Sequence, residues 1–259
     1  NWDYYGLSKS FGRSVAFFAN ATYSYKGRYT ITGTTRYEGT NRLGRTRKAR
    51  WLPTWNISGA WNAHSEDFFE KQHLLSHLTL KGSYSLVGVA PSWVTNSRAI
   101  IYSRAAWRPS AGQSENRNYI GSFENEDLTY EKKHELNFGI DMGMLKNRLN
   151  IAADIYWRNN FDLIGAAYTI GGTRWGNVAS MKSHGFELSV STKNIQSKDF
   201  SWTTDFIFGS TFNKVTELDT KRNMFNFLTG NGFARQGYPV RSLFSIPFTG
   251  LDDEGFPTF

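Results

Sequence analysis

Five histidines are the first residues to test for chemistry: His64, His73, His77, His134 and His184. His73 and His77 stand four apart, so on a helix they would share a face and present two imidazoles to a metal. No cysteine exists to complete a thiolate site. No carboxylate stands at ligand spacing beside them, and the intervening Leu74-Leu75-Ser76 runs into a strand pattern. His184 falls in a strand-start pattern and reads as structural. The absence of cysteine also excludes disulfide frameworks, thiol nucleophiles and Cys-ligated iron–sulfur clusters. No HExxH, nucleophile elbow, GxGxxG or Walker loop occurs. Gly171-Gly172 and Gly230-Asn231-Gly232 punctuate loops, and Asp252-Asp253-Glu254-Gly255 lacks the alternating oxygens of a calcium loop. Asp141 with Asp154 or Glu187 could be called an acid pair, but polar lining of one sheet face explains them more cheaply. The expectation is a chain without catalytic residues, metal site or cofactor.

Two clusters suggest binding instead. Arg42, Arg45, Arg47, Lys48 and Arg50 crowd a single loop in a chain of net charge +8 and pI near 9.6. Arginine grips phosphate, so this loop suits an anionic membrane surface or nucleic acid, or is merely solvated. It lacks a recognition helix, which argues against nucleic acid. A second loop, Val87–Leu128, carries Trp93, Tyr102, Trp107 and Tyr119. Exposed aromatic faces stack on sugar rings, and loops carry function disproportionately; the same rings can also pack the loop itself. Trp93 and Trp107 are the leading ligand candidates because Pro91 and Pro109 stiffen the chain beside them.

The elements that would position these loops are strands. The 259 residues are 39% hydrophobic and 16% aromatic, far from a disordered composition. Period-two alternation recurs over nine segments: Ser14–Tyr25, Arg28–Glu38, Trp51–Asn62, His77–Leu86, His134–Met144, Arg148–Arg158, Lys182–Thr192, Asp199–Asn213 and, more weakly, Val240–Thr249. Arg36, Lys81, Asp141, Asp154, Glu187 and Asp205 all occupy the polar phase. One face of the sheet therefore tolerates charge and the other excludes it.

Two architectures fit such a sheet. A soluble sandwich or barrel turns the apolar face inward; a membrane barrel turns it to lipid. Mean hydropathy is −0.50, which does not discriminate, because a transmembrane barrel alternates and averages to a polar value. The longest unbroken hydrophobic run, Val15–Ala19, is too short for a spanning helix of about 20 residues. Strands of about 10–14 residues exceed the usual 5–6 and meet the 9–11 that a bilayer needs. Connections alternate: Lys26-Gly27, Leu145–Asn147 and Asn194–Lys198 are short. Gly39–Arg50, Val87–Leu128, Asn159–Ala179 and Lys214–Pro239 are long. Short turns at one end and long loops at the other is the outer-membrane pattern. Ala63–Ser76 departs from it, and Ser65–Glu70 there suits a helical turn. An odd, open set of strands cannot stand alone in hydrocarbon, so further strands are expected beyond both ends. Phe256-Pro257-Thr258-Phe259 imitates a terminal barrel strand, but Pro257 cannot donate to a ladder.

Several motifs, in order, resemble the barrel of SusC-like (SusC/RagA family) TonB-dependent outer-membrane transporters. They are Tyr23-Ser-Tyr-Lys-Gly-Arg-Tyr29 running into Arg36-Tyr-Glu-Gly-Thr-Asn-Arg-Leu-Gly44, Trp51-Leu-Pro-Thr-Trp-Asn-Ile-Ser-Gly-Ala-Trp61, Leu128-Thr-Tyr-Glu-Lys-Lys-His-Glu-Leu136, Asn159-Asn-Phe-Asp-Leu-Ile-Gly165, Lys182-Ser-His-Gly-Phe-Glu-Leu188 and Gly237-Tyr-Pro-Val-Arg241 with Phe248-Thr-Gly-Leu-Asp-Asp-Glu-Gly-Phe-Pro257. The resemblance covers essentially the whole chain. It implies an all-β antiparallel transmembrane barrel segment of about nine strands from a 22-stranded barrel, with long extracellular loops and short periplasmic turns. Residues 1–259 would form part of one barrel domain, without the plug and the final strands. It further implies active import of oligosaccharides or peptides across the outer membrane of Bacteroidetes-type bacteria, with a SusD-like lipoprotein lid and TonB, acting through the plug, as partners. In that setting Arg42, Arg45, Arg47, Lys48 and Arg50 would face lipopolysaccharide, Trp93 and Trp107 would meet glycan or peptide, and no nucleic acid would bind. A soluble secreted all-β carbohydrate-binding module is the alternative.

Overall fold

The computed structural model describes residues 11–69, 74–92, 100–108, 113–170, 172–219 and 233–258. Its strands are β1 Ser14–Tyr25, β2 Tyr29–Thr40, β3 Trp51–Asn62, β4 Leu75–Val89, β5 Ile100–Arg108, β6 Gln113–Ser122, β7 Glu131–Met144, β8 Leu149–Thr169, β9 Gly172–Gln196, β10 Ser201–Leu218, β11 Gly250–Leu251 and β12 Pro257–Thr258. A one-turn helix, α1, covers Arg47–Arg50. Eight strands form one sheet in the order β1-β2-β3-β4-β7-β8-β9-β10, while β5-β6 and β11-β12 pair separately. Every pairing in the main sheet is antiparallel between neighbours in that order.

Local chemistry explains the hairpins. Lys26 and Gly27 take φ of 53° and 67°, and the Arg28 N–H closes the turn on the Tyr25 carbonyl at 3.0 Å. Two left-handed residues give the primed turn whose twist matches the strands. Leu145, Lys146 and Asn147 are all left-handed, at 53°, 58° and 60°, and join β7 to β8. At 63–69 two successive tight turns close through Glu66 N–H to Ala63 and Phe69 N–H to Glu66, in the region expected to turn helically.

The register carries the alternation across the sheet. Phe17 opposes Tyr37, Tyr29 opposes Trp61, and Trp55 opposes Leu86. Phe138 opposes Ile155, Ile155 opposes Phe186, and Leu188 opposes Phe208. Paired residues share a face, so Phe17, Tyr29, Trp55, Leu80, Phe138, Ile155, Leu188 and Phe206 all lie on one side. That side is not a protein core: Phe206, Phe138 and Phe212 are 54%, 51% and 62% exposed.

The opposite face is polar and cross-linked. Asn20 donates to Thr34 at 2.7 Å, Thr22 meets Thr32 at 3.1 Å, and Thr30 donates to Ser24 at 3.1 Å. Lys81 pairs with Asp141. Tyr156 is 3% exposed, lies over Gly185 and bonds Thr211 through its hydroxyl at 2.7 Å. A Cβ on Gly185 would come within 2.4 Å of that hydroxyl, so the ring occupies the space that glycine leaves.

Three expectations need correction. The weak ninth strand, Val240–Thr249, does not form. Pro239 and Pro247 remove ladder donors, and the preceding segment is tied to β10 instead, through Val215 N–H to Tyr238 and Val240 N–H to Asn213. The main sheet thus has eight strands. The loop Val87–Leu128 contains the β5-β6 hairpin, and the loop Asn159–Ala179 is largely a continuation of β8 and β9, at 21 and 25 residues. Those strands greatly exceed the 9–11 residues that cross a bilayer.

Gly185→Ala is expected to destabilise by about 1–3 kcal/mol through overpacking. The loss should shrink when combined with Tyr156→Ser, which removes the clashing ring. Denaturant titration of the folded barrel on heat-shift gels measures both.

Candidate functional site

Two surfaces have the makings of function: the polar face, and the cap of loops at the end where β8 and β9 project. The polar face carries a linked group near that end. Arg158 donates to Glu135 at 2.9 Å, Lys133 reaches the same carboxylate at 2.5 Å, and the guanidinium lies 3.8 Å over the Tyr156 ring. Arg36 pairs with Glu38 at 2.6 Å. Asp154 directly opposes Glu187, and among the described residues no ion pair reaches either one or Asp205. These groups are acceptors, donors and a ring aimed at an aqueous space. They contain no nucleophile–base pair, and among the described residues no three His, Cys, Asp or Glu side chains gather to hold a metal.

The histidines resolve individually. His64 contacts the Leu78 carbonyl through Nδ1 at 3.1 Å, and His77 contacts Asn147 through Nδ1 at 3.1 Å. His73 lies outside the described residues. His134 stacks between Tyr84 and Phe161, with centroids at 5.6 and 5.5 Å, and His184 stacks on Phe212 at 5.5 Å. His134 and His184 thus serve as aromatic rings on the apolar face.

Among the described residues the cap holds an apolar core of buried side chains. Leu128 and Leu43 are 0% and 2% exposed and pack with Leu52 and Tyr130, flanked by Ala90, Ile164 and Trp175. Backbone bonds stitch two loops together: Gly44 N–H to Leu128 at 2.7 Å and Arg45 N–H to Glu126 at 2.9 Å. Gly44 is required by that approach, because a Cβ there would fall 1.9 Å from the Glu126 carbonyl. Asn177 donates to the Thr129 and Asp162 carbonyls and accepts from the Thr129 N–H, clamping the base of the β8-β9 projection. Burial pushes the Tyr130 phenol up to about 12, so it stays neutral beneath the cap.

The basic cluster is thereby divided. Arg45 pairs with Glu124 at 2.8 Å and lies 3.8 Å from Glu126. Arg42 donates to the Ser92 carbonyl at 3.4 Å. Arg50 is partly buried, its Nε enclosed without a partner. Arg47 and Lys48 sit on α1, exposed, where Thr46 caps the turn by accepting from Ala49 N–H at 3.2 Å. Trp93 lies outside the described residues. Trp107 lies in β5 opposite Ser114, in the hairpin whose base is tied down by Phe123 N–H to Thr173 at 3.0 Å. Sequence reasoning missed the Asn177 clamp and the Arg158–Glu135–Tyr156 group; only the alternation phase of Arg158 and Tyr156 hinted at the latter.

At the opposite end, Glu66 accepts from Tyr29 at 2.6 Å, Trp61 at 3.2 Å and Arg28 at 2.9 Å. These bonds, Tyr29 first, hold its carboxyl below the usual range.

The apolar face carries aromatic side chains at two levels. On β10, Trp202 and Phe212 stand ten residues apart on the same side. That is about 33 Å along a strand, or about 25 Å along a normal at a tilt of about 40°, the height of an outer-membrane apolar band. A row of mostly aromatic side chains crosses the same face in register, as Tyr84, Leu136, Trp157, His184 and Phe212. An antiparallel sheet with an apolar exposed face, aromatic girdles and a polar opposite face is the wall of a transmembrane β-barrel. Residues 3–250 match the model of the TonB dependent receptor-like β-barrel, and the chain belongs to that family, in the outer membrane. It is 25% identical to a TonB-dependent receptor of Formosa agariphila over 94% of this chain and 25% of that protein. It is 26% identical to the TonB-dependent receptor SusC of Bacteroides thetaiotaomicron over 79% of this chain and 21% of that protein. Among solved structures, the RagAB peptide transporter superposes with a TM-score of 0.76 at 25% identity, over 94% of this chain and 26% of that one. The RagAB peptide importer in its "closed-closed" state also gives 0.76, at 23% identity, over 95% and 28%. The chain thus spans about a quarter of the length of these relatives.

Leu128→Ala should cost about 2–5 kcal/mol locally, as buried Leu truncations do. Limited proteolysis should then cut the cap at lower protease concentration while the heat-shift of the barrel persists. For Glu66→Gln the sign follows from the depressed carboxyl. The stabilisation is present above the unfolded-state carboxylate range and fades as pH falls through the lower folded value. The variant should be less stable than the parent at pH 7, with the gap closing on acidification below about pH 4.

Proposed function

We propose that this chain is the middle-to-late barrel segment, 1–259 of one barrel domain, of a TonB-dependent importer that draws oligosaccharides or peptides across the outer membrane. The observation that carries this reading is the open sheet itself: an apolar outer face with aromatic girdles, a hydrogen-bonded polar inner face, and edges at β1 and β10 to which, among the described residues, no further strand pairs. Unpaired strand edges in hydrocarbon cost several kcal/mol per group, so further strands of the same barrel are needed to close it. Membership of the receptor family and likeness to SusC and to the RagAB peptide transporter support import as the activity. They support a SusD-like lipoprotein lid and TonB, acting through a plug, as partners. The wall, the inner face and the cap are what this segment contributes; energy enters through the plug. The exposed Arg47 and Lys48, with Arg42, Arg45 and Arg50 behind them, are the loop's contact with lipopolysaccharide. Trp93 and Trp107 are the cargo-facing rings.

The test uses the full-length transporter. Trp93→Ala and Trp107→Ala should raise the half-saturating concentration for oligosaccharide uptake by about five- to thirty-fold, as for a buried aromatic anchor, with surface expression unchanged. If glycan uptake is untouched and peptides compete for entry, the cargo is a peptide. If neither class is imported by the parent protein under TonB-competent conditions, the importer reading fails.

A further inference from the structure

Lys182 on β9 and Lys214 on β10 are directly opposed across the ladder. Like charges placed opposite each other destabilise a sheet. Both side chains are exposed, and among the described residues no ion pair reaches either. The nearest acid on that side by register, Glu217, instead accepts a hydrogen bond from Ser180 at 2.9 Å.

Their depth is informative. They sit on the apolar face, one alternation step above His184 and Phe212, which are paired just below them. That step is about 7 Å. Lys182 stands eleven residues from Lys193, which opposes Thr203 at the base of β10; a tilted strand crosses the hydrocarbon in about 9–11. The lysines therefore lie at the level of the outer-leaflet headgroups. Directly beneath is a shallow, mainly apolar hollow of about 400 Å³ whose lining includes Tyr84, Leu136, Trp157 and His184, with Arg158, Asn159 and Lys182 among its polar members.

We infer that this hollow and the opposed lysines form a site for a phosphorylated glycolipid of the outer leaflet: an acyl chain lies along the aromatic hollow and its headgroup phosphate bridges Lys182 and Lys214. This rests on the barrel reading but not on the identity of the cargo. A bridging phosphate removes the like-charge repulsion, and the charge and the apolar hollow are both matched by one amphiphile. The site lies on the sheet's outer face, apart from the basic loop at 42–50.

The full-length transporter, extracted in mild detergent, is loaded with diphosphorylated lipid A and bound lipid is counted by native mass spectrometry. Lys182→Gln with Lys214→Gln should lower retention about tenfold, whereas Lys182→Arg with Lys214→Arg and the control pair Lys146→Gln with Lys198→Gln should retain it. Dephosphorylated lipid A should bind the parent as weakly as diphosphorylated lipid A binds the Gln variant. Equal retention by the Gln variant, no preference for the phosphorylated form, or equal retention of a glycerophospholipid each overturns the assignment. Heat-shift gels confirm that every variant is folded, so a loss of binding reports on the site. Failure of cargo import in the parent would bear on the importer reading and leave this result intact.

Discussion

Hydrocarbon offers no partner to a backbone N–H or C=O, and that constraint governs the rest of this molecule. Each strand must be bonded on both sides along the depth of the membrane. The six inner strands of the main sheet meet this through seven consecutive antiparallel pairings, with β4 joined directly to β7 past the β5-β6 hairpin. Once the ladder is obligatory, side chains have only two directions. The apolar set must take the lipid side, and charges at the depth of the hydrocarbon must take the other. Arg36, Lys81, Asp141, Asp154, Glu187 and Asp205 obey this because burying an ion in lipid costs more than any local packing could return.

The polar face then has its own problem, since charge lining a narrow aqueous space is only partly solvated. Cross-strand hydroxyl pairs, the Lys81–Asp141 bridge and the shared Glu135 carboxylate solve it locally. Glycine has a specific role here. Gly185 makes room for Tyr156, which lies flat, buried, and stacked beneath Arg158. The ring restores the packing that glycine lacks, and its hydroxyl still ends on Thr211.

Above the membrane the constraint relaxes and the architecture changes character. There the chain can bury Leu43 and Leu128 in a core of its own, stitch loops by backbone bonds and carry β8 and β9 well past the bilayer. The cap owes its order to Asn177, Gly44 and a few apolar side chains rather than to a continuous ladder. Such a region can open locally at lower free-energy cost than the wall beneath it.

The alternation of eight strands, the division of faces and the turn at Lys26-Gly27 were legible in the sequence, because a strand's two-residue period and a glycine's left-handed freedom are local properties. The β5-β6 hairpin was not legible: Ile100–Arg108 and Gln113–Ser122 pair as neighbours in the chain, but neither shows the clean alternation that marks a strand with one buried face. The extensions of β8 and β9 were hidden because Asp162, at φ 56°, and the register shift between Asn160 and Leu163 break the phase on which periodicity depends. The ninth strand was over-read, since alternating Phe244, Ile246 and Phe248 cannot supply the donors that Pro239 and Pro247 lack. The basic loop shows the division most clearly. Its composition fixed five cations within a short stretch; only the tertiary structure, by bringing Glu124 and Glu126 to Arg45 and enclosing the Nε of Arg50, decided which of them still face outward. Charge content is a property of the chain, whereas the partner of each charge depends on which distant segments the fold brings within a few ångströms.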